Sequence, residues 1–399
     1  MSKLPIVKLK TKREVPVRAG HPWIFSQALE SRYNYQSGTL VQVHSAQNEF
    51  LGIGTFNPLN SISVRLITRE PEAQFDAKFF ARRFSELDTL KQEILPAATD
   101  AYRLVHADAD SLPGLIIDRY RDTFVFQIHT AGMEAFREEI VAALKKTFKP
   151  ELIVERSDVE ARRQEGLKDF PVIVHLGKVV KEVEFTEHGI KFLADVLHGQ
   201  KTGFFLDQRT ARRRLADFAK DKKILNLFSY TGAFSLYAAL AGAKSVTSVD
   251  VSKSALELAR KQFTLNKLDP EHADYEFVAA DVFDFLRNFN ELQGQYDIII
   301  CDPPAFAKSG KQLEQALRAY SKLNEQCLRL LEKGGILLSS SCSGRVTTDD
   351  FKHVLKLAAG AAGKDLRVLD SLGQAACHTE KLSFPEGKYL KTFLLQLIN

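Results

Sequence analysis

The chain has 399 residues, 45% of them hydrophobic and 26% charged, with a formal net charge of +5. That is ordinary for a globular protein long enough for two or three domains, and the mild basic balance allows a polyanionic partner without demanding one. No apolar run reaches the roughly 18 residues a membrane span needs, and MSKLPIVKLKTKREVPVRAG lacks the apolar stretch of a secretory signal. Cys301, Cys327, Cys342 and Cys377 form neither a CxxC pair nor a Cys/His cluster, so no metal is implied and a reducing cytoplasm fits.

Residues 1–75 read as a small β-rich module. SGTLVQVHS, EFLGIGTF and SISVRLIT are short runs rich in Val, Ile, Thr and Phe, broken by Asn, Gly and Pro. VRAGHPWIFSQAL precedes them and carries the chain's one Trp. This segment holds nine Lys/Arg against five Glu and no Asp. Residues 76–185 read as a mixed α+β region. FDAKFFARRFSELDTLKQEIL is a helix ending at Pro96, GLIIDRY and TFVFQIH are a hairpin across Arg121-Asp122, and MEAFREEIVAALKKTF is an amphipathic helix. PELIVERSD is a strand, and VEFTEHGIKFLADV a second hairpin through His188-Gly189.

The pattern then changes, and residues 186–399 are expected to form an α/β domain. KILNLFS, SVTSVDVS, YEFVAAD, YDIIICD and GGILLSSSC are apolar strands. Helices alternate with them at GAFSLYAALAGA, SALELARKQFTLNKL, VFDFLRNF and around residues 311–332. Such alternation predicts a parallel sheet covered on both faces, with its ligand edge at the strand C-termini. Arg209, Arg212, Arg213 and Arg214 form a second basic cluster, whose plain reading is a solvated face.

The first strand–helix junction is LNLFSYTGAFS, with Phe228, Ser229, Tyr230, Thr231 and Gly232. It lacks G-x-G-x-x-G, which argues against a dinucleotide and leaves a nucleoside ligand without phosphates, such as S-adenosylmethionine (SAM). Strand two ends at Asp250-Val251, 18 residues beyond Gly232, where a carboxylate can accept both ribose hydroxyls. Strand three ends at Asp281-Val282, near an expected adenine. Helix capping explains each Asp singly, but not an acidic residue at successive strand ends.

Strand four ends in Cys301-Asp302-Pro303-Pro304-Ala305-Phe306. Two prolines stiffen the turn, Asp302 offers an acceptor and Phe306 a flat face, a combination suited to a planar heterocycle. The adenine and amino-N methyltransferases place the aromatic directly after the prolines, whereas here Ala305 intervenes. Strand five, expected beside strand four, ends in Ser341-Cys342-Ser343. A thiolate there could add to C6 of a pyrimidine and make its C5 nucleophilic. The bland reading is a buried strand-end Cys. Cys301 is the rival nucleophile, though it continues an apolar run; Cys327 has core spacing, and Cys377 is a weaker candidate.

VRAGHPWIFSQAL, KTGFFLDQR, LNLFSYTGAFS, CDPPAFAKS, SSSCSG and SFPEGKYLK, in this order, resemble the bacterial 23S rRNA cytosine-C5 methyltransferases of the large-subunit methyltransferase I type. The resemblance spans nearly the whole chain. It implies an N-terminal PUA domain, a central domain containing a β-hairpin, and a C-terminal Rossmann-like class I methyltransferase domain. It further implies a SAM site including Lys201, Thr202, Gly203, Phe204, Asp207, Gln208 and Arg209, with Asp302 also at the cofactor and Cys342 as nucleophile. Ala305 is within the family's pattern, but an Asp-His-Pro stretch common near the C-terminus is replaced by QAACHTEKLSFPEG. Glu386 is the candidate C5-proton base by its chemistry, against a reading as a solvated turn carboxylate. Lys12, Arg18, His21 and Trp23 are candidate RNA contacts, with core packing the alternative for Trp23, and Pro303, Pro304 and Phe306 would face the target base.

The expectation is therefore a cytoplasmic, SAM-dependent enzyme making 5-methylcytosine in 23S rRNA, with a homodimer allowed. The alternatives are methylation of uracil C5 or a base nitrogen, or a non-catalytic RNA-binding protein of PUA type.

Overall fold

The computed structural model describes residues 4–288, 294–306 and 312–398. The expected helix start at 311, the end of VFDFLRNF at 289 and the AKS of CDPPAFAKS at 307–309 lie outside the described residues. The chain divides into two compact units: Met1–His188 with Ala194–Phe204 and Ala376–Gly387, and Gly189–Leu193 with Phe205–Ala375 and Lys388–Asn399.

Among the described residues, the first unit contains two five-stranded sheets. One comprises β1 (Ile6–Lys8), β2 (Trp23–Phe25), β3 (Thr39–His44), β4 (Phe50–Phe56) and β5 (Ile62–Thr68), in the order β1-β3-β4-β5-β2. Val7, Leu9, Val41, Val43 and Val64, all fully buried, form its core. The other comprises β6 (Ala101–His106), β7 (Leu115–Tyr120), β8 (Thr123–Ile128), β9 (Leu152–Glu155) and β10 (Ile173–Leu176), in the order β10-β9-β8-β7-β6. The expected helix after the first sheet runs Ala77–Ile94. Asp76 starts it by accepting the Lys78 and Phe79 backbone N–H groups at 2.9 Å each. The segment expected as one helix over 133–148 is two, Ala131–Glu134 and Arg137–Phe148. Thr130 caps the start of the first by accepting from Met133 N, the backbone leaves the helix at Phe136 with φ −114° and ψ 19°, and the apolar face restarts at Ile140. Strands β11 (Glu182–Glu187) and β12 (Ile190–Asp195) make the second hairpin.

The second unit is built on a seven-stranded sheet: β13 (Lys223–Leu227), β14 (Ser245–Asp250), β15 (Tyr275–Ala279), β16 (Tyr296–Cys301), β17 (Leu331–Ser341), β18 (Leu366–Leu372) and β19 (Lys391–Leu397). Its order is β15-β14-β13-β16-β17-β19-β18, the Rossmann-like arrangement expected, with the chain reversing direction of travel between β13 and β16. β13 to β17 run parallel, with Cys301 opposite Leu227 and Ser339. The sheet is not wholly parallel, because β19 inserts antiparallel between β17 and β18. Leu225, Leu227, Ile299, Cys301 and Leu337 bury one face against helices Leu313–Leu330 and Thr348–Ala362. In the former, Ala316, Tyr320, Leu323, Cys327 and Leu330 recur at three- and four-residue spacing, the apolar stripe such packing demands.

Candidate active site

The turn after β13 carries its strain openly. Phe228, Tyr230 and Gly232 adopt φ of 57°, 48° and 69°, two of them side-chain-bearing residues in the left-handed region. Asp250, at the end of β14, holds the turn in place: one carboxylate oxygen accepts from Tyr230 N at 2.8 Å and the other from Ser252 N at 2.8 Å. Each oxygen keeps a second lone pair for a ligand. Gly232 is required twice over, by its positive φ and because a Cβ there would come within 2.8 Å of the Ala259 Cβ.

In this turn and on Gln262, whose Nε2 donates to the Thr231 carbonyl at 2.6 Å, Ser229 Oγ, Thr231 Oγ1 and Gln262 Oε1 are buried with no hydrogen-bond partner, as is Gln208 Oε1 elsewhere in the second unit. Buried polar atoms are normally satisfied, so a cluster of three marks a place for a polar ligand. Val251, beside Asp250, is 74% exposed, an apolar surface beside those acceptors. Polar atoms, a carboxylate and an apolar face suit the amino-acid end, ribose and base of SAM. Asp281 caps the helix Val282–Arg287 by accepting from Phe283 N at 2.9 Å and Asp284 N at 3.1 Å, and Val282 is buried beneath it.

Asp207 is buried, and its carboxylate accepts from the Tyr389 hydroxyl at 2.6 Å. Gln208 and Arg209 beside it are also buried. These residues, the β13 turn, Asp250, Asp281, Asp302 and Cys342 all belong to the second unit. Lys201, Thr202, Gly203 and Phe204 belong to the first. There the Thr202 hydroxyl donates to Asp118 at 2.5 Å and meets the Tyr120 hydroxyl at 3.1 Å, while Phe204 packs edge-on to Phe185. The Lys201 carbonyl accepts from Gln127 Nε2 at 3.2 Å, and Gly203 takes a φ of 123°.

At the end of β16, Asp302 and Phe306 are half-buried, Pro303 is buried and Pro304 exposed. Phe306 packs against Tyr320, ring centroids 4.7 Å apart. Cys342, the first residue past β17, is half-buried, with its Sγ 4.0 Å from the Pro303 carbonyl oxygen. Cys301 and Cys327 are buried together in the core. Their mutual hydrogen bond, followed by burial, raises the Cys301 thiol well above the ordinary range, a setting that disfavours a thiolate. Cys377 is buried too, its Sγ 3.4 Å from His378 Nδ1.

The chain segment after Cys342 is braced by groups with no role in the sequence-based reading. Tyr320 Oη accepts from the Ser341 hydroxyl at 3.0 Å and lies 3.1 Å from that of Ser343. Lys391, 4% exposed at the start of β19, donates to the carbonyls of Ser343 and Val346 at 2.7 Å each. Burial pushes its ammonium down to about 8, partly opposed by Cys342 and Asp350. The only signal in the sequence was a lysine opening an apolar strand, and its partners lie about 45 residues away.

In the first unit, the exposed Glu386 carboxylate lies 3.3 Å from His21 Nε2. Trp23 donates its indole N–H to Asp108 at 2.6 Å, stacks edge-on to Phe384, and lies beneath the Arg65 guanidinium. Arg18 is exposed and paired with Glu49 through Nη1 at 2.6 Å, and Lys12 is exposed with a φ of 67°.

Two family models match: a SAM-dependent methyltransferase over residues 171–364 and a PUA-like domain over residues 7–69. The ribosomal RNA large subunit methyltransferase I of Shewanella denitrificans is 40% identical over 388 residues, covering 96% of this chain and 97% of the relative. That of Tolumonas auensis is 40% identical and covers 98% and 99%. Among solved structures, SMU.776, a methyltransferase complexed with SAH, superposes with a TM-score of 0.84 at 28% identity, covering 98% and 99%. A SAM-dependent methyltransferase from Streptococcus mutans gives the same TM-score and identity and covers 98% and 100%.

Proposed function

This chain belongs to the ribosomal RNA large subunit methyltransferase I family and is SAM-dependent, and on that premise we propose that it methylates C5 of a cytosine in 23S rRNA through a covalent adduct with Cys342. The observation that carries the reading is the setting of Cys342. Among the four cysteines it alone escapes full burial, and its sulfur faces the Asp302-Pro303-Pro304 turn.

When bound, SAM supplies an electrophilic methyl group on a sulfonium. Ser229, Thr231 and Gln208 would serve its amino-acid end and Asp250 its ribose, with Val251 against the base. The chain's own residues handle the pyrimidine. Asp302 accepts from the cytosine amino group, or as an acid donates to N3, and Phe306 offers its ring face. The Cys342 thiolate adds to C6, which places electron density on C5 for bonding to carbon. After methylation a base takes the C5 proton, the C5–C6 double bond re-forms and the thiolate leaves. Lys12, Arg18, His21 and Trp23 contact the RNA, and the target base must leave its stack to be reached.

Cys342→Ala should abolish methyl transfer to unmodified 23S rRNA while SAM still binds in a calorimetric titration. Full residual transfer by that variant would refute the covalent role. Mass spectrometry of rRNA nucleosides from a deletion strain should show loss of one 5-methylcytosine. Loss of a methyluridine or an N-methylated base instead would overturn the choice of acceptor.

A further inference from the structure

The placement of Lys391 extends the reading of Cys342 as nucleophile, and this inference rests on that reading. Lys391 faces Ser341 across the antiparallel β17–β19 ladder, one residue short of the cysteine. Its ammonium reaches past the strand end to the carbonyls of Ser343 and Val346, which bracket the turn following Cys342. Both acceptors are neutral dipoles, so the side chain brings a net positive charge to the base of that turn. We propose that Lys391 is a positioning residue that locks the Cys342 turn and favours the thiolate form of its sulfur.

Four other groups act on the same place. Asp350, in the first turn of helix Thr348–Ala362, supports the charge on Lys391 and is itself held low by its Thr347 hydrogen bonds, with His353 and Lys391 adding to this. Tyr320, from helix Leu313–Leu330, stays a neutral hydroxyl, because burial raises it. Asp302 stands at the end of β16, and Arg345 is exposed on the turn itself. Lys391 is thus the buried cation of the set. With burial bringing it to about 8, it is charged through the neutral range and loses its effect above that. Burying a lysine whose hydrogen bonds go to neutral carbonyls is costly, and such perturbed groups cluster at functional sites.

The test follows alkylation of Cys342 in the full-length protein by iodoacetamide, read by mass spectrometry of the Cys342 peptide between pH 6 and 10. The other three cysteines are buried and serve as internal controls. In the native protein Cys342 should titrate below the ordinary thiol value of about 8.5. Lys391→Gln keeps a hydrogen-bond donor and removes the charge, which should raise that midpoint by about one unit, the lower end for a nearby opposite charge. At pH 7 the thiolate fraction then falls about tenfold while each thiolate gains about threefold in nucleophilicity, so alkylation slows about threefold. Above both midpoints Lys391 has lost its charge, and the two rates should converge. Lys391→Arg should keep the native midpoint. A merely structural role would change the alkylation rate at every pH without moving the midpoint. Superimposed native and Gln profiles, or a native midpoint at or above 8.5, would overturn the proposal. If Lys391→Gln fails to fold, the native titration decides alone. Methyl transfer by Cys342→Ala reports separately on the parent reading.

Discussion

Replacing Gly232 by Ala probes the strained turn after β13 that is proposed to meet SAM. A side chain at φ 69° costs about 1–2 kcal/mol in the left-handed region. The added Cβ would also sit 2.8 Å from Ala259 Cβ on helix Lys253–Leu265, closer than carbon atoms approach. Overpacking of that kind costs about 1–3 kcal/mol, so Gly232→Ala should destabilise by about 2–5 kcal/mol. For a unit of this size that lowers its melting temperature by roughly 5–15 °C in calorimetry. The strain reaches the Ser229 and Thr231 atoms offered to SAM, so affinity should drop by about tenfold or more in a calorimetric titration, equal to about 1.4 kcal/mol. A double-mutant cycle with Ala259→Gly separates the two causes. It removes the clash, keeps the φ strain and costs about 1 kcal/mol on its own, so the cycle should show about 1–3 kcal/mol of favourable coupling. Unchanged melting and SAM affinity in Gly232→Ala would refute this account, and strict additivity in the cycle would remove the steric half.

Asp250→Asn keeps one acceptor but replaces the other with a donor opposite a backbone N–H, which should loosen the Tyr230 turn and weaken SAM binding at least tenfold by titration. Asp110→Ala in the first unit should cost about 3–5 kcal/mol in chemical denaturation, because it strands the fully buried Lys91 ammonium. Lys91→Met should cost less, under about 2 kcal/mol, since Asp110 keeps hydrogen bonds from His106 N at 2.7 Å and the Thr379 hydroxyl at 2.8 Å. His129 is pushed down to about 4, by burial first and then by the charges of Arg103 and Arg162. Folded protein therefore keeps it neutral where the unfolded chain takes a proton near pH 6.5. Stability present above pH 6.5 is lost as pH falls towards 4, by no more than about 3 kcal/mol for a partly exposed ring. His129→Gln should flatten the melting temperature over that window, and an unchanged slope would contradict it.

Much of the architecture was legible in the residues because it is written in short-range periodicity. Apolar strands alternating with helices from KILNLFS to GGILLSSSC specify a Rossmann-like sheet, and Arg121-Asp122 and His188-Gly189 mark the two hairpins of the preceding region. The break between Glu134 and Arg137 was not legible, since the apolar spacing continues and only the backbone of Phe136, at φ −114° and ψ 19°, leaves the helix. Nor was the antiparallel insertion of β19, because one strand's pattern does not say which neighbour it will pair with.

The amino-acid sequence alone determined the class of chemistry. Residue types at strand ends, from Ser229 and Asp250 to Asp302 and Cys342, are local facts, and local facts survive in a one-dimensional pattern. Tertiary structure decided which of those groups are spent on the protein itself. It buried Cys301 against Cys327, gave Asp281 to a helix terminus, and left Ser229 and Thr231 with unanswered hydrogen-bonding atoms. It also carried Lys391 to the turn after Cys342. Burial, the pairing of polar atoms and the field at a sulfur all depend on neighbours distant in the chain, and only folding brings those neighbours within reach.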